Sequence, residues 1–373
     1  MTGSVLVSGA SVAGIATAYW LGRHGYSVTV VERHPGLRRG GQAIDVRGPA
    51  LEVLQRMALR AAADHVRTRI RGSSVVDRDG NELSRDTEST PTGGLIANPD
   101  IELLRDDLVE LLYDTAKLTT EFIFDDSITA LRDDGTSVTV TFEQADERRF
   151  DLVIGADGLH SNVRRLVFGP EEQFIEPLGT HAAIFTVPNF LELDYWQTWH
   201  YGDHTMAGVY SARNNTEARA MVGFMDPDLR IDYRDTNAQF VELEKRMADD
   251  GWVRPQLLEY MRSAPDFYFD EMSQIKMDSW SKGRVALVGD AGYCCSPLSG
   301  QGTSVALLGA YMLAGELKAA GEDYELGFAN YHKEFNDYVK RNQWLVVDNI
   351  PGGAPIPQEV FERIVNSIIL KDY

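Results

Sequence analysis

Small residues at the start of a predicted helix have a spacing that suits the binding of a phosphate group. Gly9, Ser11 and Gly14 lie in the stretch GASVAG directly after a β-rich run, and Glu32 ends the next such run. In a β-α-β unit the first glycine forms a tight turn, the middle position brings backbone close to a pyrophosphate, and the third lets helix and strand pack closely. The acidic residue bonds a ribose hydroxyl. Serine at the middle position still offers its N–H, so the stretch predicts dinucleotide binding.

Two further motifs follow apolar runs later in the chain. The stretch DLVIGADGLHSNVRR contains Asp157 and Arg164, and the stretch ALVGDAGYCCSPLSGQGTS contains Asp290 and a glycine-rich loop before a helix. Asp290 can accept a hydrogen bond from a sugar hydroxyl, and the free N–H groups from Gln301 to Ser304 form the positive end of that helix. Such an end stabilises the negative charge that a flavin ring gains on reduction. The third motif therefore predicts a flavin cradle built mainly from backbone.

Both cysteines of the chain, Cys294 and Cys295, lie inside this third motif. Buried free cysteine behaves as a small apolar residue, and nothing nearby indicates an activated thiolate, so we interpret both as packing residues. Two cysteines cannot form a disulfide framework, and the first residues show no basic segment followed by an apolar one. We therefore expect a cytoplasmic protein.

The elements around the motifs follow the pattern of an α/β fold. The first motif predicts a β-α-β unit with a right-handed crossover. Near 175 the runs become short, aromatic-rich and alternating, which is typical of an antiparallel sheet, and a long helical pattern begins near Tyr324. The predicted segments are 1–174 and 276–322, the two parts of a Rossmann-like domain; 175–275, an inserted substrate-binding domain; and 323–373, a C-terminal helical segment.

Charge narrows the range of partners. The chain has 36 Lys and Arg residues against 56 Asp and Glu residues, a net charge of -20. Such a charge repels nucleic acid backbones and anionic lipid headgroups, and the longest apolar run, from Val305 to Gly315, is too short to cross a bilayer. We expect neither nucleic acid nor a membrane as partner, and the oligomeric state stays open.

In order and spacing, the three motifs resemble those of the group A flavin-dependent monooxygenases, the family of para-hydroxybenzoate hydroxylase and the tetracycline-inactivating monooxygenases. The resemblance covers essentially the whole chain and implies a glutathione reductase-type, Rossmann-like FAD-binding domain with an inserted antiparallel-sheet substrate domain and a long C-terminal helix. Tyr293, Ser304 and Gly309 depart from the family pattern without removing a backbone donor. The FAD-binding residues so indicated are Gly9, Ser11, Val12, Ala13, Gly14, Glu32, Arg33, Arg105, Asp157, Asp290, Pro297, Gly300, Gln301, Gly302 and Thr303.

The resemblance also assigns individual roles. It implies that Glu32 contacts the adenosine ribose, Arg33 the adenine side, Arg105 the ribityl and phosphate groups, and Asp290 the ribityl chain. The stretch from Asp157 to Arg164 matches the family motif associated with both FAD and NAD(P)H.

The implied reaction is the hydroxylation of an aromatic or polycyclic small molecule. Because the chain has one dinucleotide motif, NAD(P)H would visit transiently to reduce FAD. The resemblance implies that O2 is then captured as a flavin C4a-hydroperoxide, whose terminal oxygen passes to the substrate. No side-chain nucleophile is expected. Pro297, Leu298 and Gly300 form the flavin-side loop at the reaction site, and Arg47 is a candidate for steering NAD(P)H or contacting flavin, with a solvated turn charge as the alternative.

The inserted sheet supplies the candidate substrate pocket. An inward packing role is an equal alternative for each of its aromatic and methionine side chains. His200 and His204 do not predict a metal site, because no third ligand stands out in the sequence. The candidate pocket residues are His181, Trp199, His204, Met206, Tyr210 and Phe224.

Three alternative functions remain open at the level of sequence. A flavin-dependent halogenase on the same fold is disfavoured, because the Trp-x-Trp-x-Ile-Pro element associated with halogenases is missing around Trp196 and Trp199. The chain could be another FAD-dependent oxidoreductase, such as a dehydrogenase, on this fold. It could also be a flavoprotein that binds a small molecule without turning it over. The identity of the substrate and the choice between NADH and NADPH are not encoded in any motif.

Overall fold

The structure is a computed structural model that describes residues 3–248, 251–346 and 356–373. Its strands are β1 (Ser4–Ser8), β2 (Ser27–Glu32), β3 (Ala43–Val46), β4 (Ser73–Val76), β5 (Glu82–Asp86), β6 (Ser89–Thr90), β7 (Gly94–Leu95), β8 (Ile101–Leu104), β9 (Thr120–Phe124), β10 (Ile128–Asp133), β11 (Val138–Phe142), β12 (Arg148–Phe150), β13 (Leu152–Gly155), β14 (Ile175–Val187), β15 (Gln197–Tyr201), β16 (Thr205–Ala212), β17 (Glu217–Met225), β18 (Tyr268–Ile275), β19 (Ser281–Lys282) and β20 (Val285–Leu287). Its α-helices are α1 (Val12–Arg23), α2 (Pro49–Arg56), α3 (Arg60–His65), α4 (Arg105–Ala116), α5 (Asn162–Val167), α6 (Thr236–Met247), α7 (Arg254–Ser263), α8 (Asp290–Tyr293), α9 (Gly302–Ala320), α10 (Tyr324–Trp344) and α11 (Gln358–Val365).

Continuous apolar runs form a parallel sheet that is buried on both faces. Its strand order is β19-β20-β13-β1-β2-β9, and all neighbours run parallel except β19 and β20. Val5, Leu6 and Val7 have no exposed surface, as expected for a strand covered on both sides. Helix α1 packs against α4 and α9, and α10 packs against α9. This arrangement confirms the predicted Rossmann-like α/β fold.

A second sheet carries the alternating pattern of the inserted segment. Its order is β18-β14-β17-β16-β15-β4-β5, and its neighbours are antiparallel except β15 and β4. One face packs against α6 and α7 through residues such as Phe185, Val222 and Leu243. The sheet is wider than the segment 175–275, because β4 and β5 come from earlier in the chain. The exact domain division therefore stays a prediction.

The other face of the second sheet looks toward the nucleotide-binding part of the chain, and we call it the cofactor-side face. Strand β3 joins the two parts at this place. The backbone N–H of Ala43 donates to the hydroxyl of Tyr210 on β16 at 3.0 Å. The backbone N–H of Arg47, directly after β3, donates to the hydroxyl of Ser304 in α9 at 2.9 Å. The segment 43–47 thus fixes the spacing between the sheet and the start of α9.

The C-terminal part confirms the predicted long helix, which spans α10. The hydroxyl of Tyr338 in α10 donates to the carbonyl of Val365 at the end of α11, at 2.9 Å. Residues 347–355 of the predicted helical segment lie outside the described ranges. Among the helices of the described ranges, none combines the length and apolar character needed to cross a bilayer.

We predict that Gly208→Ala destabilises the second sheet. Gly208 lies opposite Trp199 in the β15–β16 pairing, and a Cβ at this position would lie 2.3 Å from a ring carbon of the indole. Because the indole has to move, we expect the free energy of unfolding in urea to fall by about 1–3 kcal/mol. Gly36→Ala is the control, since a Cβ there meets nothing within 4 Å. Equal losses in both variants would show that the indole contact is not the cause.

Candidate functional site

The first motif forms a turn in which backbone approaches backbone. Gly9 has a φ of 106°, and a Cβ on it would lie 2.5 Å from the carbonyl oxygen of Ala156. A Cβ on Gly14 would lie 1.9 Å from the carbonyl oxygen of Gly9. Both positions therefore require glycine, and they bring the start of α1 against the ends of β1 and β13. Helix α1 begins at Val12 with no side-chain cap, so its first N–H groups are open to an anion.

Glu32 holds this turn through its carboxylate. One oxygen accepts a hydrogen bond from the N–H of Ala10 at 2.8 Å, and the other accepts from the N–H of His34 at 2.9 Å. Arg33, beside it, is exposed. Glu32 thus lies where the sequence motif places the ribose-binding carboxylate, next to the open end of α1. Its contact with ribose and that of Arg33 with adenine stay predictions.

Arg105, the first residue of α4, is buried and incompletely paired. One terminal nitrogen donates to the carbonyls of Arg38 and Gly40 at 3.0 and 2.7 Å. Its Nε has no hydrogen-bond partner among the described residues. Burial, with the nearby charge of Arg38, lowers the pKa of Arg105 to about 10. A buried N–H without a partner costs free energy, so this site fits an oxygen-rich anionic ligand.

Asp290 begins α8, and its side chain is accessible to solvent. Burial by the surrounding protein raises the pKa of its carboxyl group. Helix α8 contacts β18, the strand that begins with Tyr268. Burial and the charge of Asp270 raise the pKa of Tyr268, and Asp290 adds to the effect. Asp290 and Tyr268 thus lie on neighbouring elements, and we call the space between α8 and the second sheet the cofactor cleft.

The loop before α9 supplies the wall of this cleft. Gly300 has a φ of 64°, and Cβ atoms on Gly300 and Gly302 would meet nothing within 4 Å. Pro297 is exposed and Thr303 is half-buried. The side chain of Gln301 is buried, and neither polar atom of its amide has a partner among the described residues. Open space beside unpaired polar atoms fits a cofactor with several hydrogen-bonding groups.

The second motif is hydrogen-bonded to the third. Asp157 accepts hydrogen bonds from the N–H of Val163, at 3.0 Å, and from the hydroxyl of Ser161, so its carboxylate fixes the start of α5. Arg164 is fully buried and donates to the carbonyl of Ala291, at 2.9 Å. The structure thus shows Asp157 in a supporting role, and a direct contact with FAD stays a prediction.

Arg47 is not a solvated turn charge. It is buried, and a terminal nitrogen lies 2.8 Å from the carboxylate of Asp45. Another of its terminal nitrogens lies 3.6 Å from the carboxylate of Asp100, and its Nε has no partner in the described ranges. Burial raises the pKa of Asp45 to about 7 although Arg47 opposes the shift. Sequence reasoning missed Asp45, whose signal is its spacing of two residues from Arg47 in the stretch AIDVR.

The candidate pocket residues divide between the two faces of the second sheet. Trp199, Met206 and Tyr210 lie on the cofactor-side face. His181 and Phe224 lie on the opposite face, where their rings stack at 5.0 Å within the core against α6 and α7. Side chains alternate along a strand, and the sequence did not reveal which parity faces the cleft. This corrects the assignment of His181 and Phe224 to the pocket.

The remaining histidine of that set lies away from the cofactor-side face. His204 has a φ of 56° in the turn between β15 and β16, and its side chain is 71% exposed. His200 is buried on the helix-packed face, where Arg254 donates to its Nδ1 at 3.1 Å. These two histidines do not face each other. Within the described ranges no group of three or more His, Cys, Asp and Glu residues is arranged to hold a metal ion.

Cys294 and Cys295 are free and buried behind the loop. Burial raises the pKa of both thiols, and the charge of Asp290 adds to the effect. A raised pKa disfavours the reactive thiolate. Their position is that of packing residues.

We predict that Arg105→Met weakens FAD binding. Loss of a charge-assisted hydrogen bond costs about 1.5–3 kcal/mol, so we expect the Kd for FAD to rise about tenfold or more, measured by quenching of flavin fluorescence on titration. Arg149→Met is the matched control, because Arg149 forms a surface ion pair with Asp134 on the small sheet β10–β11–β12. An unchanged Kd for Arg105→Met would place FAD elsewhere.

Comparison with known proteins agrees with this geometry. The chain matches the family model of the FAD binding domain over residues 2–343. A flavin-dependent monooxygenase of Legionella longbeachae is 40% identical over 369 residues, which cover 98% of this chain and 94% of that protein. An uncharacterized protein of Mycobacterium tuberculosis is 81% identical over 370 residues, covering 99% and 100% of the two chains.

A solved structure extends the match to three dimensions. The crystal structure of tetracycline destructase Tet(51) superimposes with a TM-score of 0.90 at 35% identity and covers 100% of both chains. Its likeness includes the second sheet and the C-terminal helices, since the whole chain is covered. These matches show that the chain belongs to the FAD-dependent monooxygenases and is built on their FAD binding domain.

Proposed function

We propose that this chain uses NADH or NADPH and O2 to hydroxylate an aromatic or polycyclic small molecule. Buried polar groups without partners and open space at the loop before α9 support the proposal. The Nε of Arg105 and the amide of Gln301 have no partner among the described residues, and Cβ atoms on Gly300 and Gly302 would meet nothing within 4 Å. The cofactor-side face of the second sheet, with Trp199 and Tyr210, supplies an apolar surface. A polar cradle opposite an apolar wall suits a cofactor that acts on a bound ring.

Bound FAD supplies the redox chemistry, taking a hydride from the nicotinamide and activating O2. The chain's own residues bind and orient the cofactor and exclude water. The open N–H groups at the start of α1 would hold the pyrophosphate, Arg105 and Asp290 would hold the ribityl side, and the loop from Pro297 to Thr303 would lie beside the ring. The positive start of α9 would stabilise the negative charge that the ring gains on reduction.

The cofactor-side face supports an apolar substrate. Ile184, Met206 and Met221 pack there with Trp199, and Gly208 lets the indole lie flat on the sheet. The cation nearest to this cluster on β17, Arg219, is occupied, because its Nε donates to the carbonyl of Gly41 at 3.1 Å and a terminal nitrogen pairs with Glu217 at 2.8 Å. A planar ring system without a carboxylate fits this wall. Tetracycline destructase Tet(51), which shares the fold over its whole length, supports polycyclic rings as the first candidates.

Two parts of the proposal concern the reductant and the compartment. NAD(P)H binds transiently, since the chain has one dinucleotide motif. The buried ion pair of Arg47 with Asp45 favours a role in holding β3 beside the flavin over steering of the nicotinamide. We place the reaction in the cytoplasm, which the two free cysteines support.

The proposal predicts that an aromatic ligand accelerates NAD(P)H oxidation and gains oxygen. We expect the holoenzyme to oxidise NADH or NADPH faster when tetracycline or members of a panel of phenols and polycyclic aromatics are added, with catalase present to remove peroxide. Mass spectrometry of the mixture then shows a product heavier by one oxygen atom. Rings that bind without faster oxidation and without an oxygenated product would contradict the proposal and favour a flavoprotein that only binds its ligand.

A further inference from the structure

His160 lies between two carboxylates that belong to different parts of the fold. Its Nδ1 lies 2.8 Å from an oxygen of Glu171, in the 3-10 turn Glu171–Gln173 after α5, and its Nε2 lies 3.3 Å from both oxygens of Asp270 on β18. The ring also stacks face to face on Tyr233, with centroids 3.7 Å apart and planes within 1°. Both ring nitrogens donate only when the imidazole is protonated. We call His160, Glu171 and Asp270 the histidine clamp.

The surroundings of the clamp favour the charged imidazolium. Three groups face the imidazole. Glu171 also accepts a hydrogen bond from Arg164 at 2.8 Å, and Asp270 also accepts one from the hydroxyl of Tyr268 at 2.8 Å. The guanidinium of Arg234 lies 4.9 Å from the centroid of the Tyr233 ring. The two carboxylates raise the pKa of His160 to about 9 against the opposing effect of burial. The clamp is therefore an ion-paired link at neutral pH.

Each end of the clamp leads to the cofactor cleft. On one side, Glu171 pairs with Arg164, which donates to the carbonyl of Ala291 next to Asp290. On the other side, Asp270 holds the hydroxyl of Tyr268, whose ring lies 5.2 Å from the guanidinium of Arg38 at the border of the cleft. Since β18 is the edge strand of the second sheet, it has a strand neighbour on one side only. The clamp links this edge strand to the turn after α5.

We propose that His160, in its protonated form, is a positioning residue. It ties β18, the edge strand of the second sheet, to the second motif and holds Tyr268 against the cofactor cleft. This proposal rests on the proposed function for the identity of the cofactor. It gives His160 a role that the sequence motif around it did not indicate. When the imidazole loses its proton, one of the two donated hydrogen bonds is lost and the repulsion between the carboxylates is no longer offset, so the tie between β18 and the second motif weakens.

The sign of the pH dependence follows from the raised pKa. A histidine has a pKa near 6.5 when unperturbed, and here it is about 9. The stabilisation by the clamp is therefore complete below the unperturbed value and is lost as the pH rises through about 9. If His160 acts through its charge, substituting it removes this pH dependence of stability. If His160 only fills space, the substitution leaves the pH dependence unchanged.

The test uses the holoenzyme and two readouts, Tm and the quenching of bound FAD fluorescence by acrylamide. At neutral pH we expect His160→Gln and Asp270→Asn each to lower Tm by about 2–4 °C, and the double variant to lose less than the sum of the two. The difference in Tm between wild type and His160→Gln should vanish above the pKa of His160. Acrylamide should quench wild-type FAD more strongly as the pH rises through that pKa, and should quench His160→Gln strongly at every pH.

The control is His65→Gln, because His65 is an exposed residue at the end of α3. It should match wild type in both readouts. Additive Tm losses in the double variant, or a Tm difference that persists unchanged at high pH, would overturn the clamp. Wild-type quenching in His160→Gln would overturn its link to the cofactor cleft. If the protein holds no FAD, the proposed function fails, and the Tm measurements on the same variants still decide on the clamp.

Discussion

A buried guanidinium at the start of α4 governs the cofactor cleft. One terminal nitrogen of Arg105 donates to the carbonyls of Arg38 and Gly40. Its Nε has no partner among the described residues. The hydrogen bonds to Arg38 and Gly40 hold the loop between β2 and β3. The loop also packs closely on the guanidinium, because a Cβ on Gly41 would lie 2.6 Å from the Nε. Since the Nε–H has no partner among the described residues, its site suits an acceptor that the described residues do not supply. The shape of the loop and the proposed binding of the cofactor therefore involve the same side chain.

The same loop joins the two sheets. Arg219 on the cofactor-side face donates to the carbonyl of Gly41, and Arg213 pairs with Asp106 and Asp107, directly after Arg105, at 2.8 and 2.6 Å. The second sheet is thus anchored to α4, the helix that begins with Arg105. Arg219 is buried, and a buried charge that loses its partner is costly, so its bond to Gly41 helps to maintain the spacing between the second sheet and this loop.

The sequence predicted those features that depend on neighbours along the chain. The turn at Gly9, the loop around Gly300 and the start of α9 follow from residue types at fixed spacing, and the structure brings helices α1 and α9 into contact. Which residues of the second sheet face the helices depends on packing between segments far apart in sequence. His181 and Phe224 pair across two strands and face the helices, whereas their neighbours along each strand face the other way. Period alone shows that a strand has two faces and does not show which one is covered by helices.

Two other groups escaped prediction for a related physical reason. The pairing of Asp45 with Arg47 is local, but its burial arises from packing against elements far away in sequence. The clamp at His160 joins carboxylates 11 and 110 residues away, and neither flanks it in the motif. Burial and long-range charge pairing set these groups' pKa values, and neither is visible in a local pattern.

The central claim, that the cleft behind Arg105 holds FAD, is tested most directly by the absorbance spectrum of the purified chain combined with titration of the apoprotein with FAD. We expect the two visible bands of an oxidised flavin and saturation at one FAD per chain. A colourless protein that takes up no FAD when it is supplied would contradict it.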